Sequence, residues 1–182
     1  MNIFKISGLI ILSLIILIIS FLAYMGMFSN IKITEKETGP YLIAYESFVG
    51  PYAQSGKVFD KVYKALKSEN IETLRGCGIY YDNPADVPAE KLRSDCGVII
   101  EEKDLAAFEK VKSKYKTKTI QKATRLVAEF PKKNMLSYMF GPMKVYPAFN
   151  KYCKAKGYNE STLGYEIYDE TNKKIIFLMN KN

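Results

Sequence analysis

The chain is 182 residues long, room for one ordinary domain and a short appendage. It carries 27 Lys and Arg against 19 Asp and Glu and has no histidine, which removes Ser-His and Cys-His dyads, the commonest general base and any histidine-liganded metal. Cys77, Cys96 and Cys153 are odd in number and lack Cys-x-x-Cys spacing, so neither a disulfide framework, a zinc site nor any other cofactor is expected.

From Ile6 to Phe28 the sequence runs 23 residues without a charge. As a helix this stretch would extend about 35 Å, enough for a bilayer core of about 30 Å. A cleavable leader has a shorter apolar region, about 7–15 residues, and a small-x-small site, which "LAYMGMF" does not offer. A core helix of a soluble domain would show a polar face, and this one has none. Residues 1–28 therefore read as a single-pass anchor, with a lipid bilayer as partner. Lys5 flanks one end and Lys32 and Lys36 the other, so the lysine balance leaves the side of the globular domain undetermined.

Residues 29–40 read as a linker, and residues 41–182 as a globular domain. "YLIAYESF" (41–48) alternates as a strand does and contains Tyr45, a candidate ligand contact. After the loop "VGPYAQSG", Val58, Phe59, Val62, Tyr63 and Leu66 recur at helical spacing. "CGIYYDNP" and "DCGVII" then read as two strands. The same order follows a second time: "ATRLVAEF" (123–130) as a strand, a helix opened by "GP" at 141–142 and running through Val145, Phe149 and Tyr152, and the hairpin "GYEIYD"/"KIIFLMN" across "ETNKK". Repeat one covers about 41–102 and repeat two about 119–182, with a connecting helix over about 103–118 suggested by Leu105, Phe108, Val111 and Tyr115.

This pattern predicts an α+β fold: a transmembrane helix, then a tandem duplicated strand-helix-strand-strand domain with pseudo-twofold symmetry and a concavity between its helices. Matching the copies sets Tyr80-Tyr81-Asp82 beside Ile167-Tyr168-Asp169, with Ile79 in the place of Glu166. The later copy thus holds a carboxylate, Glu166, among aromatics including Tyr168. Two readings stand for it. It binds a cationic or electron-poor organic ligand or acts as a base with a raised pKa, or it lies on a solvated strand face. Glu46 and Glu129 have similar periodicity.

Six lysines against Asp104 and Glu109 between Lys103 and Lys118 suit either anionic lipid headgroups and acidic partners or a solvated helix end. No recognition-module signature accompanies them, so no nucleic-acid partner is expected.

Three segments carry a resemblance: "GIYYDNPADVPAEKLRSDCGVII" (78–100), "VGPYAQSG" and "YPAFNKYCKAKGY…GYEIYD". Together they resemble the GyrI-like small-molecule-binding family, and within it the membrane-anchored testis-expressed protein 264 group. The resemblance implies two tandem modules, a ligand cleft between them and an acidic residue from the second module facing the ligand, which Glu166 matches. Tyr168, Tyr80 and Tyr45 are the aromatic ligand contacts expected with it. A small organic ligand or a protein partner is thus expected more than catalysis. Some family members hydrolyse strained cyclopropane-containing toxins with a glutamate and neighbouring aromatics, which Glu166 and Tyr168 would parallel without a metal. The group's autophagy receptors depend on a long disordered tail. This chain ends at Asn182 after its last strand, and "FEKV" (108–111) lies on a predicted helix, so the receptor role is not expected.

Overall fold

The computed structural model describes residues 3–159 and 161–181. Helix α1 spans Ile3–Tyr24, and its window Ile6–Tyr24 is long and apolar enough to cross a membrane, at a mean hydropathy of 2.9. From Ile6 to Ile19 its Leu and Ile side chains are exposed all round, so the domain does not cover them. The helix stops at Gly26, whose φ of +83° lies in the left-handed region that glycine enters at no steric cost. Immediately before it, Met25 is fully buried.

The domain follows as β1 (Thr34–Thr38), β2 (Tyr41–Val49), α2 (Gly56–Ser68), β3 (Arg75–Tyr80), β4 (Arg93–Ile99), α3 (Leu105–Glu109), β5 (Lys116–Ile120), β6 (Ala123–Pro131), α4 (Ser137–Lys156), β7 (Gly164–Asp169) and β8 (Lys174–Asn180). All eight strands form one curled antiparallel sheet in the order β1-β6-β8-β7-β3-β4-β2-β5. The expected runs are present as β2-α2-β3-β4 and β6-α4-β7-β8, and the central strands β3 and β7 join the two halves.

Three local expectations are corrected. Within residues 29–40, Thr34–Thr38 is a strand paired along its whole length with β6. The helix expected to run to residue 118 ends at Glu109, and "KTKTI" becomes β5 on the edge beside β2. Its alternating threonines favour a pleated strand, and lysines suit an exposed edge. Helix α4 begins at Ser137, ahead of "GP", and contains Pro142 and Pro147. Each proline forfeits a helical N–H bond. Burial of Ser137, Gly141, Val145, Phe149 and Cys153 at four-residue spacing against the sheet outweighs that loss.

The sheet is buried on both faces. One face carries Ala44, Val98, Leu126, Ala128, Phe130, Ile175 and Phe177, with α2 packing Val62 and Leu66 and α4 packing Val145 and Phe149 onto it. The curled opposite face encloses Ile43, Ile79, Ile99, Ile120, Tyr165, Ile167 and Leu178. A strand residue therefore meets the helices or the inner curl according to parity alone.

Candidate functional site

Paired residues across an antiparallel ladder share a face. Gly78 lies opposite Glu166, Tyr80 opposite Gly164 and Gly76 opposite Tyr168. All six therefore project toward the helices, at the seam between the two halves of the sheet. Glycine is required at two of these places because aromatic rings lie across the strands. A Cβ on Gly78 would stand 2.7 Å from the Tyr80 ring, and one on Gly164 only 2.4 Å from the Tyr146 hydroxyl.

Glu166 is 4% exposed. Tyr146, from α4, donates a hydrogen bond to its Oε1 at 3.0 Å, and Tyr168 donates to its Oε2 at 2.9 Å. Because the Tyr168 proton is committed to the carboxylate, the 2.7 Å contact between the Tyr80 and Tyr168 hydroxyls makes Tyr80 the donor there. The result is a directed chain from Tyr80 to Tyr168 to Glu166. Phe59 of α2 and Tyr138 of α4 each present an edge-on ring to Tyr168 at 5.3 Å, so both helices wall the same spot. Tyr52, in the loop before α2, stands edge-on to Tyr80 at 4.8 Å.

Burial pushes the Glu166 carboxyl up to about 7, and the Tyr168 and Tyr146 hydrogen bonds pull the other way without cancelling it. Burial, followed by the charge of Glu166, drives Tyr146 and Tyr168 well above the ordinary phenol range; Tyr80 is raised by the same two causes. All three stay protonated and serve as donors. The carboxyl's hydrogen-bond partners are neutral phenols. Near neutral pH the site thus holds a half-ionised acid in an aromatic shell, able either to accept a proton or to face a cation.

Of the residues the sequence singled out, the structure brings Glu166, Tyr168 and Tyr80 together and does not place Tyr45 with them. Tyr45 packs on the inner-curl side beside Ile43 and Ile167, where the Lys118 ammonium lies 5.0 Å from its ring. The expected match of Ile79 with Glu166 is corrected by the register, which turns Ile79 to the inner face with Tyr165. Glu46 and Glu129 take the solvated role, paired with Lys61 and Lys174. Tyr146 was missed. It belongs to another element, α4, which packs on β6 and β8, and its signal in the sequence is that it opens the segment "YPAFNKYCKAKGY".

The lysine-rich stretch is largely engaged locally. Lys112 pairs with Glu109, Lys114 with Glu69, and Lys118 with Asp95 and the Tyr81 hydroxyl. Phe108 of "FEKV" is fully buried and so is closed to a docking partner. Among the described residues, no group of three or more Cys, Asp or Glu side chains converges as metal ligands would.

Known proteins supply the remaining comparison. A sequence profile of the GyrI-like small molecule binding domain matches residues 30–175. Human testis-expressed protein 264 is 26% identical over 159 residues, covering 83% of this chain and 49% of that protein. The DNA gyrase inhibitor of Escherichia fergusonii is 42% identical over 74 residues, which is 40% of this chain and 45% of the inhibitor. This chain therefore spans about half the length of these curated relatives. Among solved structures, the EcmrR C-terminal domain matches with a TM-score of 0.56 at 12% identity, covering 84% of this chain and 99% of that one. SAV2435 bound to tetraphenylphosphonium matches at 0.53 with 13% identity, covering 84% and 94%. At such identities the likeness carries the fold alone.

Proposed function

Because the chain belongs to the GyrI-like small-molecule-binding domain family, we propose that it binds a bulky organic cation against Glu166, at the surface of a membrane crossed by α1. The observation that carries this reading is a buried carboxyl held by neutral phenols. An ionised buried acid without a counter-charge is costly. A cation entering between α2 and α4 supplies that charge, and the faces of the surrounding rings favour it further. Proton and cation then compete for one carboxylate, so binding is expected to drive the proton off. SAV2435, whose structure holds the lipophilic cation tetraphenylphosphonium, is the reason for choosing that probe. Entry requires the partly exposed rings of Tyr168, Phe59 and Tyr52 to part, because Glu166 itself is sealed beneath them.

In this proposal the two strand-helix-strand-strand runs are one duplicated unit related by a pseudo-twofold axis at the β3–β7 seam. Tyr80 and Tyr168, with their hydroxyls 2.7 Å apart, would be mates across it. The ligand then lies where the halves meet, a common place for pockets.

Isothermal titration of tetraphenylphosphonium into the full chain in lipid nanodiscs, referenced to empty nanodiscs, tests this. Saturable binding is expected, with an affinity loss of about a hundredfold in Glu166→Gln, corresponding to about 3 kcal/mol for a buried charge left unpaired. Equal affinity in both would remove Glu166 from the site.

A second reading has one observation behind it. A carboxyl pushed up to about 7 suits a general base, as a metal-free hydrolase of strained or electrophilic organic compounds would need. Turnover of such compounds by the wild type and its loss in Glu166→Gln would establish it, and binding without turnover across pH 5–9 would end it.

A further inference from the structure

Helix α4 is apolar on two sides. Its buried stripe, Gly141, Val145, Phe149 and Cys153, faces the sheet. On the opposite side, Met139 and Met143 are 51% and 60% exposed, and just ahead of the helix Met135 and Leu136 are 78% and 39% exposed. Four large apolar side chains at this spacing make a continuous unpartnered strip rather than scattered surface residues.

The strip lies where the chain leaves α1, and that exit is clamped. Met25 is fully buried, and the Asn134 amide donates to its Sδ at 3.5 Å. The Lys144 ammonium donates to the carbonyls of Met27 and Ser29. Ile31 and Ile33 pack onto the core before β1 pairs with β6. No slack chain separates the apolar helix from the domain, so the domain's orientation to that helix is fixed. Lys133 stands 5.2 Å above the ring of Tyr24, the last residue of α1. An aromatic and a lysine at the end of an apolar helix are the pair found at headgroup level. Met135 follows Lys133 by two residues.

We propose that the Met135–Met143 face of α4 seats in the headgroup–acyl boundary of the bilayer that α1 enters, so that the domain lies against the membrane along α4. This rests on the reading of α1 as a membrane span. Apolar side chains sink into the boundary while exposed Lys133 beside them meets anionic headgroups, the division of labour of an interfacial helix. Methionine-rich faces also suit peptide partners. Here the clamp and the Tyr24–Lys133 pair set the face beside lipid instead.

The chain contains no tryptophan, so single-tryptophan reporters are available without other changes. Met139→Trp and Met143→Trp occupy exposed positions and are expected to fold. Ile15→Trp reports on α1. Glu90→Trp, in the β3–β4 loop at the opposite end of the strands from Pro131, is the solvent control. Each full chain is placed in vesicles of phosphatidylcholine and phosphatidylserine, with or without bromine on the acyl chains. Blue-shifted emission and bromine quenching are expected at positions 139, 143 and 15, and neither at 90. Quenching at 15 without quenching at 139 and 143 overturns the seating and leaves the anchor intact. Absence of quenching at 15 overturns both. A blue shift at 139 without bromine quenching means that protein, a second copy or a partner, covers the face, and this also overturns the seating.

Discussion

The two central strands, β3 and β7, lie side by side with the same residue pattern and different chemistry. Toward the inner curl both are apolar: Cys77 and Ile79 on one, Tyr165 and Ile167 on the other. Toward the helices β3 presents Gly76, Gly78 and Tyr80, while β7 presents Gly164, Glu166 and Tyr168. The small residues on both strands make room for aromatic rings, and only β7 puts an acid beneath them. The lesson concerns position. A charge is tolerated at residue 166 because one phenol from its own strand, Tyr168, and one from α4, Tyr146, reach it, whereas the next residue, Ile167, turns into the apolar cluster of the inner curl.

The largest effect should come from moving the charge by that one residue. Ile167→Glu would bury an unpaired carboxyl in the inner curl, costing about 4 kcal/mol or more. Loss of cooperative thermal unfolding by the full chain in detergent is expected. Retention of wild-type stability would mean that the inner face admits water.

Removing the charge where it stands should do the opposite. The folded-state pKa of Glu166 is raised from its ordinary 4.5 to about 7, so the folded protein binds more protons than the unfolded chain in that interval. Stability linked to this group is fully present below about pH 4.5 and falls as pH rises through about 7, a loss of about 3 kcal/mol. Glu166→Gln should therefore flatten that slope and be more stable than the wild type at pH 8, with the curves converging toward pH 4. Urea unfolding at four pH values decides this. A slope that persists in the variant would assign it to another group.

Gly164→Ala should cost roughly 2 kcal/mol by driving the Tyr146 ring off the strand and off Glu166. A thermal shift reads the cost, and an unshifted Tm would mean that α4 yields freely. Smallest is Tyr146→Phe. It removes one donor to the carboxylate, about 1–2 kcal/mol at pH 8 and less at pH 5, where the acid is protonated. It should also move the Glu166 titration, followed by carboxyl-carbon NMR, to higher pH. Tyr80→Phe, one bond further from the acid, should move it less. An equal shift from both would contradict the directed chain.

These comparisons also mark what the sequence made legible. The uncharged run of α1, the two strand-helix-strand-strand runs and the acid among tyrosines in "GYEIYD" all follow from periodicity and composition. The face of Tyr80 did not, because a one-residue slip in matching two short strands reverses every side chain. Tyr146 was hidden for a different reason: it meets Glu166 only once α4 docks, and two prolines disguise that segment as a helix start. β1 and β5 are polar edge strands, the first expected within a linker and the second largely within a connecting helix, and pairing with β6 and β2 makes them strands. Tyr45 shares its aromatic character with the site residues and differs in parity.

The central claim, that proton and organic cation compete for Glu166, has one direct measurement. Tetraphenylphosphonium is titrated calorimetrically into the full chain in nanodiscs at pH 6, in two buffers of different ionisation enthalpy. The account predicts release of close to one proton per cation bound in the wild type and none in Glu166→Gln. Binding of equal strength with no proton release in either protein would contradict it.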